Sequence, residues 1–295
     1  MKLVTFINEG REKVGSLHGD KVIDLREAYT YLLLSKGKLI NEALTRSCTD
    51  IPDNMIDFIK KGDEALKTAR ESQEYVLKNE NFGKAVYLLR DVKLLAPIPN
   101  PPMLLNMGNA YRPYPINDFS IDGINELIGP NEPIIIPKEV SDFGTCFEIE
   151  IGTVIGKKGR RIPNNETAFD YVYGYTIYND VTDLGKQINR EFNAKLFDTF
   201  CPMGPCIATK DEIKDPYNLI KRAYVNGQLS TLKSTRLMIH KIPEFVSIPS
   251  QTLTLQVGTI ISTGTPQSAY IGPGDTIELD ITNIGKMSNP VIAEK

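Results

Sequence analysis

The first part of the chain alternates short apolar runs with turn residues. Residues 3–7, 14–17 and 22–25 are apolar runs, and polar or glycine-containing turns separate them. Runs of this length with turns between them are typical of consecutive antiparallel strands. The pattern therefore predicts a small three-stranded meander at the N-terminus.

The apolar pattern changes to helical spacing after residue 25. From residue 26 to residue 79, apolar side chains recur at intervals of three or four positions, which predicts two or three helices. Four prolines then fall within residues 97–102, where neither a helix nor a central strand can continue. We place a domain boundary there, between a small N-terminal α+β cap domain over residues 1–96 and a second domain over residues 97–295.

The second domain is predicted to be mostly β. Its apolar runs are separated by glycine and proline turns and lie at residues 103–107, 147–155, 171–178, 205–209, 223–225, 259–262 and 276–281. One interval, residues 113–142, contains five prolines and is longer than a compact domain usually tolerates without a functional reason. We expect that interval to form an active-site lid, and we expect the whole chain to have an α+β fold.

The composition favours a globular protein that acts on small molecules. The 34 basic and 37 acidic side chains leave a formal charge of −3, which excludes the basic excess of nucleic-acid and polybasic membrane binders. No run approaches the roughly 20 apolar residues that cross a membrane, and the charged start of the chain is unlike a signal peptide. We therefore expect a cytoplasmic protein, with its four cysteines as reduced thiols.

Two glutamates lie on one face of the strand predicted over residues 147–155. Because side chains alternate between the faces of a strand, Glu148 and Glu150 point the same way, and the apolar residues beside them point the other way. The two Cα atoms are expected to lie about 6.6 Å apart. A solvated acidic strand face is the alternative interpretation, since glutamate is usually exposed.

A third carboxylate, Asp180, follows the strand predicted over residues 171–178, at the point where that strand opens into a turn. Three converging carboxylates repel one another unless a cation lies between them. Mg²⁺ suits a site of few carboxylates with open positions for water. This context favours a metal site at Glu148, Glu150 and Asp180.

Two further positions could serve such a site. Lys195 lies among apolar residues that precede a proline-containing segment, which favours a buried ammonium near the carboxylates over the surface position of most lysines. Gly264 and Thr265 follow the strand predicted over residues 259–262 and could present backbone N–H groups and a hydroxyl to an anion. An ordinary turn is the alternative for these two residues.

Taken in order, these motifs resemble the fumarylacetoacetate hydrolase family. The resemblance covers about residues 97–292, and the combination is far more specific than any single motif. The motifs that carry it are Glu148-x-Glu150, Val154-Ile155-Gly156-Lys157, Tyr173-Gly174-Tyr175-Thr176, Asn179-Asp180-Val181, Lys195-Leu196-Phe197-Asp198-Thr199, Pro202-Met203-Gly204-Pro205, Val225-Asn226-Gly227, Thr263-Gly264-Thr265-Pro266 and Gly274-Asp275.

The resemblance implies a mixed β-roll catalytic domain, usually found in a homodimer, and a family-like N-terminal domain before it. It also implies a cofactor, Mg²⁺ or Mn²⁺, and a 2-oxo acid as the small-molecule partner. The residues that it implies are Glu148, Glu150 and Asp180 for the metal, and Lys195, Gln187 and Thr265 for the substrate.

An activity follows from the same resemblance. A 2-oxo or 1,3-dioxo acid would chelate the metal, so that charge released from a breaking C–C bond collects as an enolate, and Lys195 would offset that charge. Hydrolysis of a C–C bond is the leading expectation. Decarboxylation or tautomerisation of a 2-oxo acid and dehydration of a keto-deoxy sugar acid are alternatives, so a hydrolase or a lyase is expected.

The sequence departs from the family pattern where a catalytic His and Glu usually stand. Tyr114 occupies the His position and Asn117 the Glu position, and the two histidines, His18 and His240, lie elsewhere. Tyrosine, with a reference pKa of about 10, is a poor base near neutral pH, and asparagine cannot ionise. The usual means of activating water is therefore missing. Tyr114 is kept as a candidate catalytic residue, with a loop aromatic packed on the core as the alternative.

The arginine that usually follows the metal-binding aspartate is also missing, and Arg112, Arg190 and Arg236 are the candidate substitutes. These departures support a second class of function, a catalytically degenerate protein that binds a metal and a dicarboxylate without turnover. The metal ligands and Lys195 are nevertheless present together, so we favour the enzyme.

Overall fold

The computed structural model describes residues 1–79, 84–116, 119–121, 127–191 and 193–295. Helices and strands alternate little along the chain, and most helices gather in its first third, which confirms the predicted α+β class. The helices are α1 (Leu25–Ser35), α2 (Ile40–Asp50), α3 (Met55–Lys60), α4 (Gly62–Lys78), α5 (Leu184–Ile188) and α6 (Ile242–Thr252).

The strands of the described residues belong to three sheets. Their bounds are β1 (Lys2–Asn8), β2 (Arg11–His18), β3 (Lys21–Asp24), β4 (Val86–Leu88), β5 (Lys93–Leu94), β6 (Leu104–Asn106), β7 (Ser120–Ile121), β8 (Ile134–Ile136), β9 (Thr145–Phe147), β10 (Ile149–Ile155), β11 (Val172–Asn179), β12 (Thr182–Asp183), β13 (Met203–Thr209), β14 (Ile220–Val225), β15 (Gln228–Ser234), β16 (Ile260–Ser262), β17 (Ala269–Ile271), β18 (Thr276–Ile281) and β19 (Gly285–Ala293).

The predicted N-terminal meander is present as β1, β2 and β3, which pair in antiparallel order. Glu9 and Gly10 form the two-residue turn between β1 and β2, with φ angles of 48° and 73°. Positive φ at both positions matches the twist of the flanking strands, which is why a glycine stands there.

The segment over residues 26–79 contains parts of four helices, where two or three were predicted. The extra division falls between α3 and α4, because Gly62 adopts a φ of 67° that a continuous right-handed helix does not permit. Two helix starts are capped as their sequences suggest. The Asp24 side chain accepts from the N–H of Glu27, and the Asn54 side chain accepts from two N–H groups of α3.

The main sheet runs across the boundary predicted at residue 96. Its strand order is β4-β3-β2-β1-β13-β11-β10-β16-β6-β7, with β5 paired to β1. Lys2 and Leu3 of β1 lie opposite Ala208 and Ile207 of β13, so main-chain hydrogen bonds join the N-terminal segment to the second. The division into two domains stays a prediction, and the two segments share one sheet.

Both faces of the central strands are covered. Tyr175 and Ile177 of β11 point into one apolar core, whereas Tyr178 points into a second core that contains residues of α1, α2 and α3. A strand buried on both faces shows a nearly continuous apolar run rather than strict alternation, as residues 171–178 do. The end of β11 is therefore held rigidly where Asp180 follows it.

The strand predicted over residues 147–155 is two strands, and the prediction of one continuous strand is wrong. Glu148 lies between β9 and β10 and belongs to neither. The break occurs because the chain changes sheets: β9 pairs with β12 and β17 in a three-stranded sheet, and β10 pairs with β11 and β16 in the main sheet. Glu148 thus stands at a junction between sheets.

The interval over residues 113–142 carries two short strands, β7 and β8. Residues 117, 118 and 122–126 of this interval lie outside the described residues, and so does the Asn117 position, so the lid stays a prediction. β8 joins the five-stranded sheet β15-β14-β18-β19-β8. Among the described helices, none combines the length and the apolar character that a membrane crossing requires.

A substitution at Gly174 of β11 would test how tightly the central strands are packed. A Cβ atom at this position would meet the main-chain oxygen of Ala208 on β13, which cannot move without disturbing the sheet. We expect Gly174→Ala to lower the free energy of unfolding by about 1–3 kcal/mol, measured by urea denaturation. Gly272→Ala is the matched control, because a Cβ there meets nothing within 4 Å. Equal losses for the two variants would contradict this packing.

Candidate metal centre

The register of β10 and β11 brings the predicted acidic residues together. Ile149 lies opposite Asn179, and Glu150 lies opposite Tyr178. One step further, the N–H of Asp180 donates to the main-chain oxygen of Glu148 at 3.0 Å. The antiparallel pairing therefore places the residue before β10 beside the residue after β11.

Glu148, Glu150 and Asp180 form a compact acidic cluster. One carboxylate oxygen from each lies within 4.8 Å of the others. Glu150 and Asp180 are each only 1% exposed, and Oδ1 of Asp180 is buried with no hydrogen-bond partner among the described residues. A buried carboxylate oxygen without a donor is costly unless a cation binds it, so the donor set fits a divalent ion such as Mg²⁺ or Mn²⁺.

Neighbouring donors orient two of these carboxylates. The N–H of Gly264 donates to Oε2 of Glu150 at 2.8 Å, and the amide of Asn106 donates to Oδ2 of Asp180 at 2.9 Å. The Lys195 ammonium also pairs with Oδ2 of Asp180. Both contacts to Asp180 fall on one oxygen and leave Oδ1 free, which is the arrangement expected of an outer shell that orients a metal ligand.

The two glutamates carry raised pKa values. For Glu148 and Glu150 burial is the largest cause, and the neighbouring charge of Asp180 adds to it. Glu148 raises the pKa of Glu150 further, while the Gly264 N–H opposes the rise. The cluster therefore holds its protons more tightly than exposed carboxylates do, and a metal has to displace them.

For Lys195, burial and the neighbouring charges shift the pKa in opposite directions. Burial alone would lower its pKa, but the charge of Asp180, followed by those of Glu148 and Glu150, outweighs burial and raises it. Its side chain is 20% exposed. The ammonium therefore stays charged beside the cluster, and the predicted juxtaposition of Lys195 with the three acidic residues is present.

Lys221 is a second lysine at the centre, and it was not predicted from the sequence. It is fully buried, donates from Nζ to the main-chain oxygen of Ile149 at 3.0 Å, and lies 4.5 Å from the ring centroid of Tyr111. Burial lowers its pKa, although Glu150 and Glu148 oppose that effect. The signal was strand alternation, since Leu219 and Ala223 on either side are buried as well.

Tyr111 and Arg112 also act on the cluster. The Tyr111 hydroxyl is buried and has no hydrogen-bond partner among the described residues, and burial followed by the charge of Glu150 raises its pKa. Arg112 lowers the pKa of Glu148 by its charge. Of the three arginines considered as substitutes, Arg112 thus acts on Glu148, whereas Arg236 bonds to Asn218 at the surface.

The remaining predicted residues lie in different surroundings. Gly264 has a φ of 82° and uses its N–H for Glu150, while the Thr265 hydroxyl donates to the main-chain oxygen of Gln267. Gln187 is exposed on α5, and Tyr114 is 66% exposed, so Tyr114 is not the core-packed aromatic of the alternative interpretation. Roles of Tyr114, Gln187, Gly264 and Thr265 toward a substrate stay predictions.

Comparisons with known proteins support this fold and identify its family. Residues 107–292 match the family described as the fumarylacetoacetate (FAA) hydrolase C-terminal domain. That match spans more than half of the chain, and the chain belongs to this family.

Two relatives are named for the same reaction. An oxaloacetate tautomerase, YisK of Bacillus subtilis (strain 168), is 35% identical over 99% of this chain and 100% of its own length. A mitochondrial oxaloacetate tautomerase of Xenopus laevis is 33% identical over 82% of this chain and 79% of its own length. These relatives are enzymes, and the chain is an enzyme of the same family, which disfavours the non-catalytic binder.

A solved structure shows the same architecture over the full chain. The maleylpyruvate hydrolase from Sphingobium sp. SYK-6, in complex with manganese(II) and pyruvate, has a TM-score of 0.78, 28% identity, and covers 100% of both chains. The predicted fold class is confirmed by this likeness.

We expect the affinity for a divalent metal ion to fall as the pH is lowered. The pKa values of Glu148 and Glu150 rise to about 7 and about 8, and a metal binds their deprotonated forms. The affinity for Mn²⁺ measured by calorimetry should therefore fall as the pH is lowered through this range, by about tenfold or more per pH unit below it. An affinity that does not change with pH would exclude the glutamates as ligands.

Replacing one ligand should weaken binding while the fold is retained. Glu148→Gln keeps the shape of the side chain and removes its charge, so we expect the dissociation constant for Mn²⁺ to rise at least about tenfold. Glu166→Gln is the control, because Glu166 is exposed and lies outside the cluster. If both variants bind Mn²⁺ as the wild type does, Glu148 is not a ligand.

Proposed function

We propose that this protein is a divalent-metal-dependent enzyme that interconverts the keto and enol forms of a small 2-oxo dicarboxylic acid such as oxaloacetate. The observation that carries the proposal is the pairing of Lys195 with Asp180 in a complete acidic cluster, while Tyr114 stands where the family usually has its histidine. Tautomerisation needs proton transfer and stabilisation of an enolate, and it does not need an activated attacking water.

Two observations support the binding of a divalent metal ion. The cluster offers three hard oxygen ligands and a buried oxygen of Asp180 with no described donor, and a protein of the same fold is known in complex with manganese(II) and pyruvate. A divalent cation bound there would supply Lewis-acid polarisation of the 2-oxo oxygen. The identity of the ion, Mg²⁺ or Mn²⁺, and the homodimer stay predictions.

Lys195 is suited to hold a proton next to the substrate oxygen. An ammonium has three N–H donors, and Asp180 takes one of them, which leaves the others for a ligand. Its positive charge favours the enolate over the neutral keto form, because charge develops on the oxygen during proton removal. Asp180 fixes the position of the ammonium and prevents it from reaching solvent freely.

The proposed substrate is an anion, and the charges around the cluster favour one. The three carboxylates carry up to three negative charges, which a divalent ion and the Lys195 ammonium offset. Lys221 and Arg112 interact electrostatically with the glutamates of the cluster and add positive charge around it. A carboxylate-bearing 2-oxo acid is therefore electrostatically matched to the metal-loaded site.

Hydrolysis of a C–C bond is the second candidate. It is favoured by the full-length structural likeness to a maleylpyruvate hydrolase, with its TM-score of 0.78. This reaction needs a base for water, and Tyr114 is exposed and carries no ionised carboxylate partner among the described contacts. We therefore rank it after tautomerisation, and the two reactions are separable by their products.

The test follows the enol form of oxaloacetate by its ultraviolet absorbance, with Mg²⁺ or Mn²⁺ and then with EDTA. We expect accelerated equilibration that EDTA abolishes. Lys195→Met should lower kcat by about 10²- to 10³-fold, because a charge that stabilises the developing enolate is lost. Calorimetry with Mn²⁺ on the same variant verifies that the metal still binds.

Lys186→Met is the matched control for Lys195→Met. It removes the same charge from the same part of the chain, but Lys186 pairs with Glu191 and not with a ligand. Loss of activity in both variants would point to general damage. Release of maleate and pyruvate from maleylpyruvate, without acceleration of tautomerisation, would support the hydrolase and reject the tautomerase.

A further inference from the structure

His240 joins two parts of the chain that are distant in sequence. It lies two residues before α6 and contacts Glu244 in the first turn of that helix, as well as Tyr114 in the segment after β6. Nδ1 lies 2.9 Å from a carboxylate oxygen of Glu244, and Nε2 lies 2.8 Å from the main-chain oxygen of Tyr114. The His240 side chain is 14% exposed, whereas Tyr114 at the other end of the contact is exposed.

Both partners of the ring can only accept hydrogen bonds. A neutral imidazole has one N–H, so one of the two contacts would bring two lone pairs together, whereas an imidazolium donates to both. Burial lowers the pKa of His240, but the hydrogen bond to Glu244 and the main-chain oxygens of Tyr114 and Arg112 outweigh burial and raise it. The geometry and the charge environment both favour the protonated ring.

Lys241, the charged residue next to His240 in the chain, makes no described contact with the imidazole ring. Lys241 turns away, because its ammonium donates to the main-chain oxygen of Met238 and lies over the ring of Tyr217. The second oxygen of Glu244 accepts from the N–H of Lys241, which holds the carboxylate in place. Glu244 is thus fixed by α6 and in turn fixes the ring.

The segment over residues 108–114 is anchored at its centre as well. The main-chain oxygen of Ala110 accepts from the N–H groups of Ile239 and His240 at 2.7 Å and 3.2 Å. The N–H of Ala110 donates to the main-chain oxygen of Thr263 at 3.2 Å, directly before Gly264. The segment therefore lies between the start of α6 and the turn that contacts Glu150.

The same segment forms one wall of the metal centre. A Cβ on Gly264 would meet Gly108 and Asn109 at 2.9 Å and 3.0 Å, so the segment packs directly on the glycine whose N–H holds Glu150. Tyr111 and Arg112, which influence the glutamates, lie between this contact and Tyr114. Only His240 holds the far end at Tyr114 by a side-chain contact among the described residues.

We propose that His240 is a positioning residue: its imidazolium, held by Glu244, fixes the carbonyl of Tyr114 and so keeps the segment over residues 108–114 in the arrangement that receives an anionic 2-oxo acid. The inference rests on the proposed function, because it concerns access of that substrate to the metal-loaded site. Loss of the proton removes one of the two hydrogen bonds and releases the segment at Tyr114.

The two histidines of the chain make a direct test possible. A histidine NMR titration of the Mg²⁺-loaded protein resolves His18 and His240, with His18 as an internal control because it is exposed. Coupling between two sites is reciprocal, so if protonated His240 favours ligand binding, the ligand must favour protonated His240. Saturating oxalate, a 2-oxo acid analogue, should raise the pKa of His240, while the His18 signals should not respond to oxalate.

The same coupling predicts the pH profile of oxalate affinity. At saturating Mg²⁺ we expect oxalate to bind about fivefold or more weakly once His240 has lost its proton, as pH rises through its pKa. Metal affinity has the opposite trend, because protonation of Glu148 and Glu150 weakens it at low pH. The two effects are therefore distinguishable in one series of calorimetric titrations.

Variants separate positioning from a general structural role. His240→Gln retains a donor for Tyr114 without a titratable proton, so oxalate affinity should lose its pH dependence, while His18→Gln should keep the wild-type profile. His240→Leu should bind oxalate weakly at every pH and still bind Mg²⁺ as the wild type does.

Two outcomes overturn the inference in distinguishable ways. If wild-type protein binds Mg²⁺ and oxalate but the pKa of His240 is the same with and without oxalate, His240 does not position the segment and the proposed function stands. If oxalate shows no Mg²⁺-dependent binding to the wild type, the proposed function and this inference are both wrong.

Discussion

The mutual repulsion of three clustered carboxylates is the constraint around which this protein is arranged. Glu150 and Asp180 are almost fully removed from water, and Glu148 lies beside them, so each ionised group raises the energy of the others. The surrounding chain offsets part of this energy with the N–H of Gly264, the amide of Asn106 and the Lys195 ammonium. A cation bound to the unpartnered oxygen of Asp180 would complete the compensation of these charges.

Strand pairing holds two of the acidic residues in place, and hydrogen bonds from other parts of the chain hold the rest of the site. β10 and β11 are buried strands of the main sheet, and their register fixes two of the acidic residues. Glu148 has no strand to hold it and depends on contacts of its neighbours, including the bond from Lys221 to Ile149. The segment with Tyr111 and Arg112 is held from outside the sheet, by the turn at Gly264 and by the start of α6.

Much of the fold could be predicted because local patterns were strong. The N-terminal meander, β11, β16 and β18 follow from apolar runs bounded by turns. The acidic residues were selected from the spacing of Glu148 and Glu150 and from the position of Asp180 at a strand end, although Glu148 lies in neither strand. The break at Glu148 could not be predicted, since it results from pairing with strands that are distant along the chain. Lys221 was missed because most lysines are exposed, although its position between the apolar Leu219 and Ala223 was a local sign of burial.

The sequence by itself determined the family, the α+β class and the identity of the three acidic residues and Lys195, because motif order and residue chemistry are local properties. Only the tertiary structure decided which oxygen of Asp180 remains free, that Lys221 reaches Ile149, and that His240 pairs with Tyr114. These facts depend on the approach of elements separated by tens of residues or more. Packing and hydrogen-bond geometry set such approaches, and no spacing along the chain encodes them directly.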